Sequence, residues 1–103
     1  MFKLNHTVSN DTSVPRLLIL EPWATEYALA PMESLTISLE SDEPGSLEME
    51  ELDEVTMLYA WAGSIAKVYK GSELMDELDR VPGIPEGTSI RTFLQLILGS
   101  KPA

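Results

Sequence analysis

Seven residues constrain this chain more than any others. In Ser34-Leu35-Thr36-Ile37-Ser38-Leu39-Glu40 apolar and polar side chains alternate without a break, and only a β-strand turns successive side chains to opposite faces. Leu35, Ile37 and Leu39 are then expected to face a core, with Ser34, Thr36, Ser38 and Glu40 toward water. Ser41-Asp42-Glu43-Pro44-Gly45 reads as a turn. The alternation resumes at Leu47 and Met49, with Glu48 and Glu50 outward, so residues 34–50 read as a hairpin with a longer loop.

Two other runs lack the alternation because nearly every residue is apolar. Leu17-Leu18-Ile19-Leu20, stopped by Glu21-Pro22, is too short for a helix and suits a strand covered on both faces. Val55-Thr56-Met57-Leu58-Tyr59-Ala60-Trp61-Ala62 has one hydrophilic residue in eight and reads as a central strand of the same kind. Tyr27-Ala28-Leu29 is a weaker strand, Asp53-Glu54 a reversal, and Gly63-Ser64 and Gly71-Ser72 flank a strand at Ile65-Ala66-Lys67-Val68-Tyr69-Lys70. Glu73-Leu74-Met75 begins another segment. Turns recurring at about every eight to twelve residues mark a sandwich or barrel. The expected fold is mainly β: one antiparallel β-sandwich of six to seven strands with one C-terminal α-helix.

The ends of the chain read differently from its middle. Residues 1–15 are rich in Asn, Asp, Ser and Thr, whose side chains compete for backbone hydrogen bonds, and are expected to form a flexible arm. Residues 16–80 form the β-rich core, and residues 81–87, with two prolines and two glycines, a connector. Residues 88–103 hold a helix and tail: Thr88 or Ser89 caps it, Gly99 ends it, and Ile90, Phe93, Leu94, Ile97 and Leu98 recur at helical spacing. Leu96 falls off that stripe, at 100° per residue. A second copy is the simplest cover for it, so Ile90, Phe93, Leu94, Leu96 and Ile97 are the expected protein interface of a homodimer. The plainer alternative is a monomer with one exposed leucine.

Charge narrows the possible partners. Seventeen acidic against seven basic side chains give a net charge of −10, which argues against nucleic acid or anionic membrane as partner. The N-terminus lacks the apolar stretch of an export signal, so a cytoplasmic location is expected, and Asn5-His6-Thr7 and Asn10-Asp11-Thr12 read as chance glycosylation matches. No cysteine is present and the one histidine is His6, so no metal site and no cofactor are expected. Asp42, Glu43, Glu48, Glu50, Glu51, Asp53 and Glu54 place seven carboxylates within thirteen residues. They read as a solvated face that also prevents edge aggregation, or alternatively as a docking surface for a basic protein or a weak cation site.

From Leu17 to Tyr69 the order is apolar strand, Glu21-Pro22-Trp23, Tyr27, Pro31 with Glu33, alternating strand, acidic turn and Trp61 strand. This order resembles a cupin-type β-sandwich or barrel, and is similar to short uncharacterised bacterial proteins that pair a Glu-Pro-Trp segment with a proline-led turn. Metal-binding cupins use several histidines on their strands, so the resemblance implies a cupin-like frame without the metal ligands. Trp23, Tyr27, Tyr59 and Trp61, with Glu21 beside them, are the candidate ligand-binding residues of a pocket between sheets. Tyr59 and Trp61, two apart on one strand, are expected to share a face. A carboxylate against an indole can have its pKa raised, but nothing supplies Glu21 with a catalytic partner, and no catalytic residue is expected. The leading function is therefore a non-enzymatic domain acting through protein–protein contacts. A small-ligand binder or enzyme is the alternative, and large aromatics on strands are usually core residues.

Overall fold

The computed structural model describes residues 1–82, in which the chain forms eight β-strands and no helix. They are β1 (Phe2–Ser9), β2 (Arg16–Glu21), β3 (Thr25–Leu29), β4 (Ser34–Ser41), β5 (Glu48–Leu52), β6 (Val55–Tyr59), β7 (Ile65–Lys70) and β8 (Glu73–Leu78). A first sheet has the order β1-β4-β7-β8, and a second the order β3-β2-β6-β5. The sandwich is not wholly antiparallel as expected: every pairing is antiparallel except β2 with β6, which run parallel because the chain crosses to the other sheet and back between them. The two near-continuous apolar runs thus lie side by side at the centre of the second sheet, where parallel strands are buried on both faces.

The core lies between the sheets. The first sheet contributes Val8, Leu35, Ile37, Leu39, Ala66 and Val68, and the second Leu18, Leu20, Leu29 and Leu58. Leu35, Ile37 and Leu39 are buried, as their alternation requires. The opposite face of the first sheet is largely polar along β1 and β4, with Ile65 and Tyr69 of β7 beside it: Lys3 pairs with Glu40 at 3.7 Å and the Thr7 and Thr36 hydroxyls lie 2.9 Å apart.

Three further expectations change. The strand count is eight rather than six to seven, and the added strand is β1, inside the segment expected to be a flexible arm. Phe2, Leu4, His6 and Val8 occupy its inward positions, and all eight of its residues pair with β4. Second, β4 and β5 are not a hairpin. Both edges of β4 are taken by β1 and β7, so the chain crosses at residues 42–47 into the other sheet. Third, Tyr59 ends β6, and Trp61 lies beyond the strand. The expected C-terminal helix, and with it the interface residues Ile90, Phe93, Leu94, Leu96 and Ile97, lies outside the described residues.

Turn chemistry explains several crossings. Gly71, at φ 62°, opens the two-residue link from β7 to β8, where a left-handed residue matches the strand twist. The link from β5 to β6 places Glu54 at φ 59°, a conformation that glycine adopts more readily. Asn10 ties the link from β1 to β2. Fully buried, it donates from Nδ2 to the carbonyls of Val14 at 2.9 Å and Leu29 at 3.0 Å, and its Oδ1 accepts from the Thr12 backbone and hydroxyl.

Candidate functional site

The four candidate aromatics sit at separate places, and each is tied to its own partner. Trp23, in the turn after β2, donates from Nε1 to the Asp79 carbonyl at 2.8 Å. Tyr27, on the inward face of β3, donates to Asp76 Oδ2 of β8 at 2.9 Å. These two bonds join the β3 edge of one sheet to the β8 edge of the other. Burial, and the bond and negative charge of Asp76, hold the Tyr27 phenol well above its ordinary pKa, so it stays a neutral donor.

Trp61 closes a different place. Its Nε1 donates to Ser41 Oγ at 2.9 Å, and its ring meets Phe2 edge-on with centroids 5.8 Å apart. Gly45 lies against the indole so closely that an added Cβ would overlap the ring; only glycine fits there. Tyr59 points elsewhere, toward Glu50 Oε1 at 3.1 Å and the Met57 sulfur at 3.5 Å. The structure therefore brings Trp23 and Tyr27 to one edge and separates both from Trp61 and from Tyr59. Alternation would have placed Tyr59 and Trp61 together had the strand continued.

Beside Tyr27 an open slot of about 270 Å³ is lined by Tyr27, Leu29, Glu33, Leu35, Lys70 and Met75 among others. Glu33 spans its rim: Oε1 accepts from the Ala30 backbone at 2.6 Å and Oε2 from Lys70 Nζ at 2.7 Å. These bonds hold the Glu33 carboxyl below the usual carboxylate range, and Lys70 is correspondingly raised.

Glu21 stands opposite Tyr59 in the parallel ladder, and its carbonyl accepts from the Ala60 backbone at 2.9 Å. Partial burial pushes its carboxyl above the ordinary value. Two members of the acidic stretch are structural. Glu51 accepts from Arg16 at 2.8 Å and from the Thr56 hydroxyl at 3.2 Å, while Glu50 accepts from Tyr59. Among the described residues no three His, Cys, Asp or Glu side chains gather as metal ligands, and His6 lies in β1 opposite Ile37.

A surface that sequence reasoning did not single out is the outer side of the second sheet. Leu18, Leu20, Thr56 and Leu58 are inward, so the alternate residues Leu17, Ile19, Val55, Met57 and Tyr59 form the outer face. Glu21, Glu48 and Glu50 border it. The signal was present in the sequence: two strands with apolar residues at odd and even positions alike must bury both sides. Compared with protein-family models, curated proteins and solved structures, the chain matches none.

Proposed function

We propose that this cupin-like β-sandwich is a cytoplasmic interaction domain that acts through protein–protein contacts, as a homodimer, and does not catalyse a reaction. The observation that carries this reading is the outer face of the second sheet, where Leu17, Ile19 and Val55 are only half-buried and leave apolar surface that more polypeptide could cover. The aromatics considered for a ligand pocket support it, because Trp23, Tyr27 and Trp61 hold the sandwich together through Asp79, Asp76 and Ser41. In this reading Leu96 belongs to the contact between copies. Light scattering coupled to size exclusion should give twice the 11.4 kDa chain mass, and Leu96→Glu should halve it without unfolding. A mass of one chain at tens of micromolar overturns the homodimer.

A second reading rests on the slot beside Tyr27. Its volume is near the lower end for small-molecule sites, about 300 Å³, and Tyr27, Glu33 and Lys70 supply polar groups at its rim. A ligand seated there would raise the melting temperature, and Met75→Trp, which fills the slot, should abolish that rise. The acidic stretch adds a third contact: a basic partner would bind it with salt-dependent affinity, read as loss of binding on raising the ionic strength.

A further inference from the structure

Among the described residues four strands end the sheets, β1 and β8 the first, β3 and β5 the second. An edge strand offers unpaired N–H and C=O groups to another chain unless charge, proline or a bulge protects it. Two of these edges are well protected. β5 carries Glu48, Glu50 and Glu51. β8 carries Glu73, Asp76 and Glu77, and a bulge breaks its pairing with β7: Tyr69 stands opposite Leu74 and Val68 opposite Asp76, with Met75 left between. β1 and β3 carry less, Lys3 in one and Glu26 in the other, and both pair with their neighbours in unbroken ladders. Alternate residues of such a strand turn their backbone groups away from the sheet.

The slot beside Tyr27 singles out β3. Glu26, Tyr27, Ala28 and Leu29 all line it, although Tyr27 and Leu29 face the core while Glu26 and Ala28, opposite Ile19 and Leu17, face outward. A cavity touched from both faces of a strand runs along its edge. Buried Leu29 and Leu35 give it an apolar floor, and Met75, at the bulge of β8 and 50% exposed, is a wall. Bulges at sheet edges re-aim a side chain in this way. At about 270 Å³ the open slot is smaller than most sites that enclose a whole small molecule, about 300 Å³ and above. It suits one side chain carried by a longer chain. Charge selects the carrier: Lys70 is paired with Glu33 and lies in the field of Glu73, Asp76 accepts from Tyr27, and Glu26 is exposed. A segment bearing Lys or Arg complements this edge, whereas a second copy of a chain with net charge −10 meets it with like charge.

We propose that β3 receives an extended basic segment of a different protein as an added strand of the second sheet, with one apolar side chain of that segment seated between Tyr27 and Met75. Backbone pairing supplies the affinity in such an addition, and the slot supplies the specificity. This deepens the interaction reading and rests on it, because it makes the β3 edge the seat of a protein–protein contact separate from any contact between copies.

The full chain, labelled with nitrogen-15, is titrated at physiological salt with synthetic Lys-Val-Lys-Leu-Lys-Val-Lys and with its central Met and Phe counterparts. Amide shifts should concentrate at Thr25–Leu29 and Met75. A peptide with Gly at its centre should bind at least about tenfold more weakly, as loss of a buried anchor does. Of two peptides N-methylated at alternate amides, the one whose methyl groups face β3 should lose binding and the other keep it. Met75→Trp, which fills the slot at an exposed position, should match the Gly peptide, and Glu26→Lys should weaken binding about threefold. Shifts confined to Glu48–Leu52, or no shift at β3 with any of the three peptides at millimolar concentration, overturn the seat. The mass from light scattering then still decides the homodimer on its own. Equal binding by both N-methylated peptides overturns the added strand and leaves the slot as a side-chain pocket.

Discussion

The outer faces of the two sheets are built on opposite principles. On the first sheet, Lys3, Thr7, Thr36, Glu40 and Lys67 look outward beside Ile65 and Tyr69, and cross-strand pairs such as Lys3 with Glu40 and Thr7 with Thr36 satisfy the polar groups. On the second, Leu17, Ile19, Val55, Met57 and Tyr59 hold the corresponding positions. One outer face carries charged and hydroxyl side chains, and the other is apolar along its two central strands. The difference lies in the residue pattern: β1 and β4 alternate apolar with polar, whereas β2 and β6 are apolar at nearly every position.

The largest expected break in this contrast comes from truncating one outward residue on each sheet. Met57→Ala should cost about 2–3 kcal/mol, because it leaves a gap among buried atoms. Lys67→Ala should stay within about 0.5 kcal/mol, as exposed substitutions do. Urea midpoints at constant slope measure both, and equal losses would mean that the two faces are alike.

A smaller effect sharpens the comparison at the turns. Gly71 of the first sheet and Glu54 of the second occupy nearly the same φ, 62° and 59°. Gly71→Ala should lose about 1 kcal/mol, and Glu54→Gly should gain up to about 1 kcal/mol by removing a strained Cβ. Thermal unfolding with opposite signs for the two variants is the expected outcome.

The smallest effects concern two carboxylates with opposite pH dependence. Glu21, partly buried beside the apolar face, has a raised pKa, so its favourable contribution is complete below the ordinary carboxyl value and is lost as pH rises through the folded value. Glu21→Gln should therefore raise the melting temperature at pH 7 and leave it unchanged in acid. Glu33, bonded to Lys70, has a lowered pKa, and its contribution is present above the ordinary value and lost as pH falls through the folded one. Glu33→Gln should lower the melting temperature at pH 7, with the gap closing in acid.

Much of this was legible in local patterns. The alternation at residues 34–40 located β4 and its buried leucines, and the two apolar runs located the centre of the second sheet. The β1 strand was also written as alternation, Phe2, Leu4, His6 and Val8 against Lys3, Asn5, Thr7 and Ser9, but a histidine in an apolar slot and the Asn-rich link hid it. Asn10 looked like one polar residue among the several of residues 1–15, because its bonds to Leu29 and Val14 depend on neighbours brought close by folding. Partner choice was the least legible feature. Alternation tells which side of a strand is buried, but not that β4 pairs with β1 and β7 rather than with β5. The expected shared face of Tyr59 and Trp61 gave way for a related reason, since two residues past the strand end Trp61 answers to Ser41 and Phe2 instead of to β6.

The parallel pairing of β2 with β6 also sets an order of events for a chain emerging from the ribosome. Leu17 and Val55 are 38 positions apart, so the β2–β3 hairpin is made long before the strand that covers its inner edge. During that interval Leu17, Leu18, Ile19 and Leu20 present an unpaired edge, apolar on both sides, and such edges recruit other strands. Closing so long a loop also slows folding. Synthesis speed across residues 21–59, and chaperone occupancy over that window, should therefore govern how much of this protein reaches the native state.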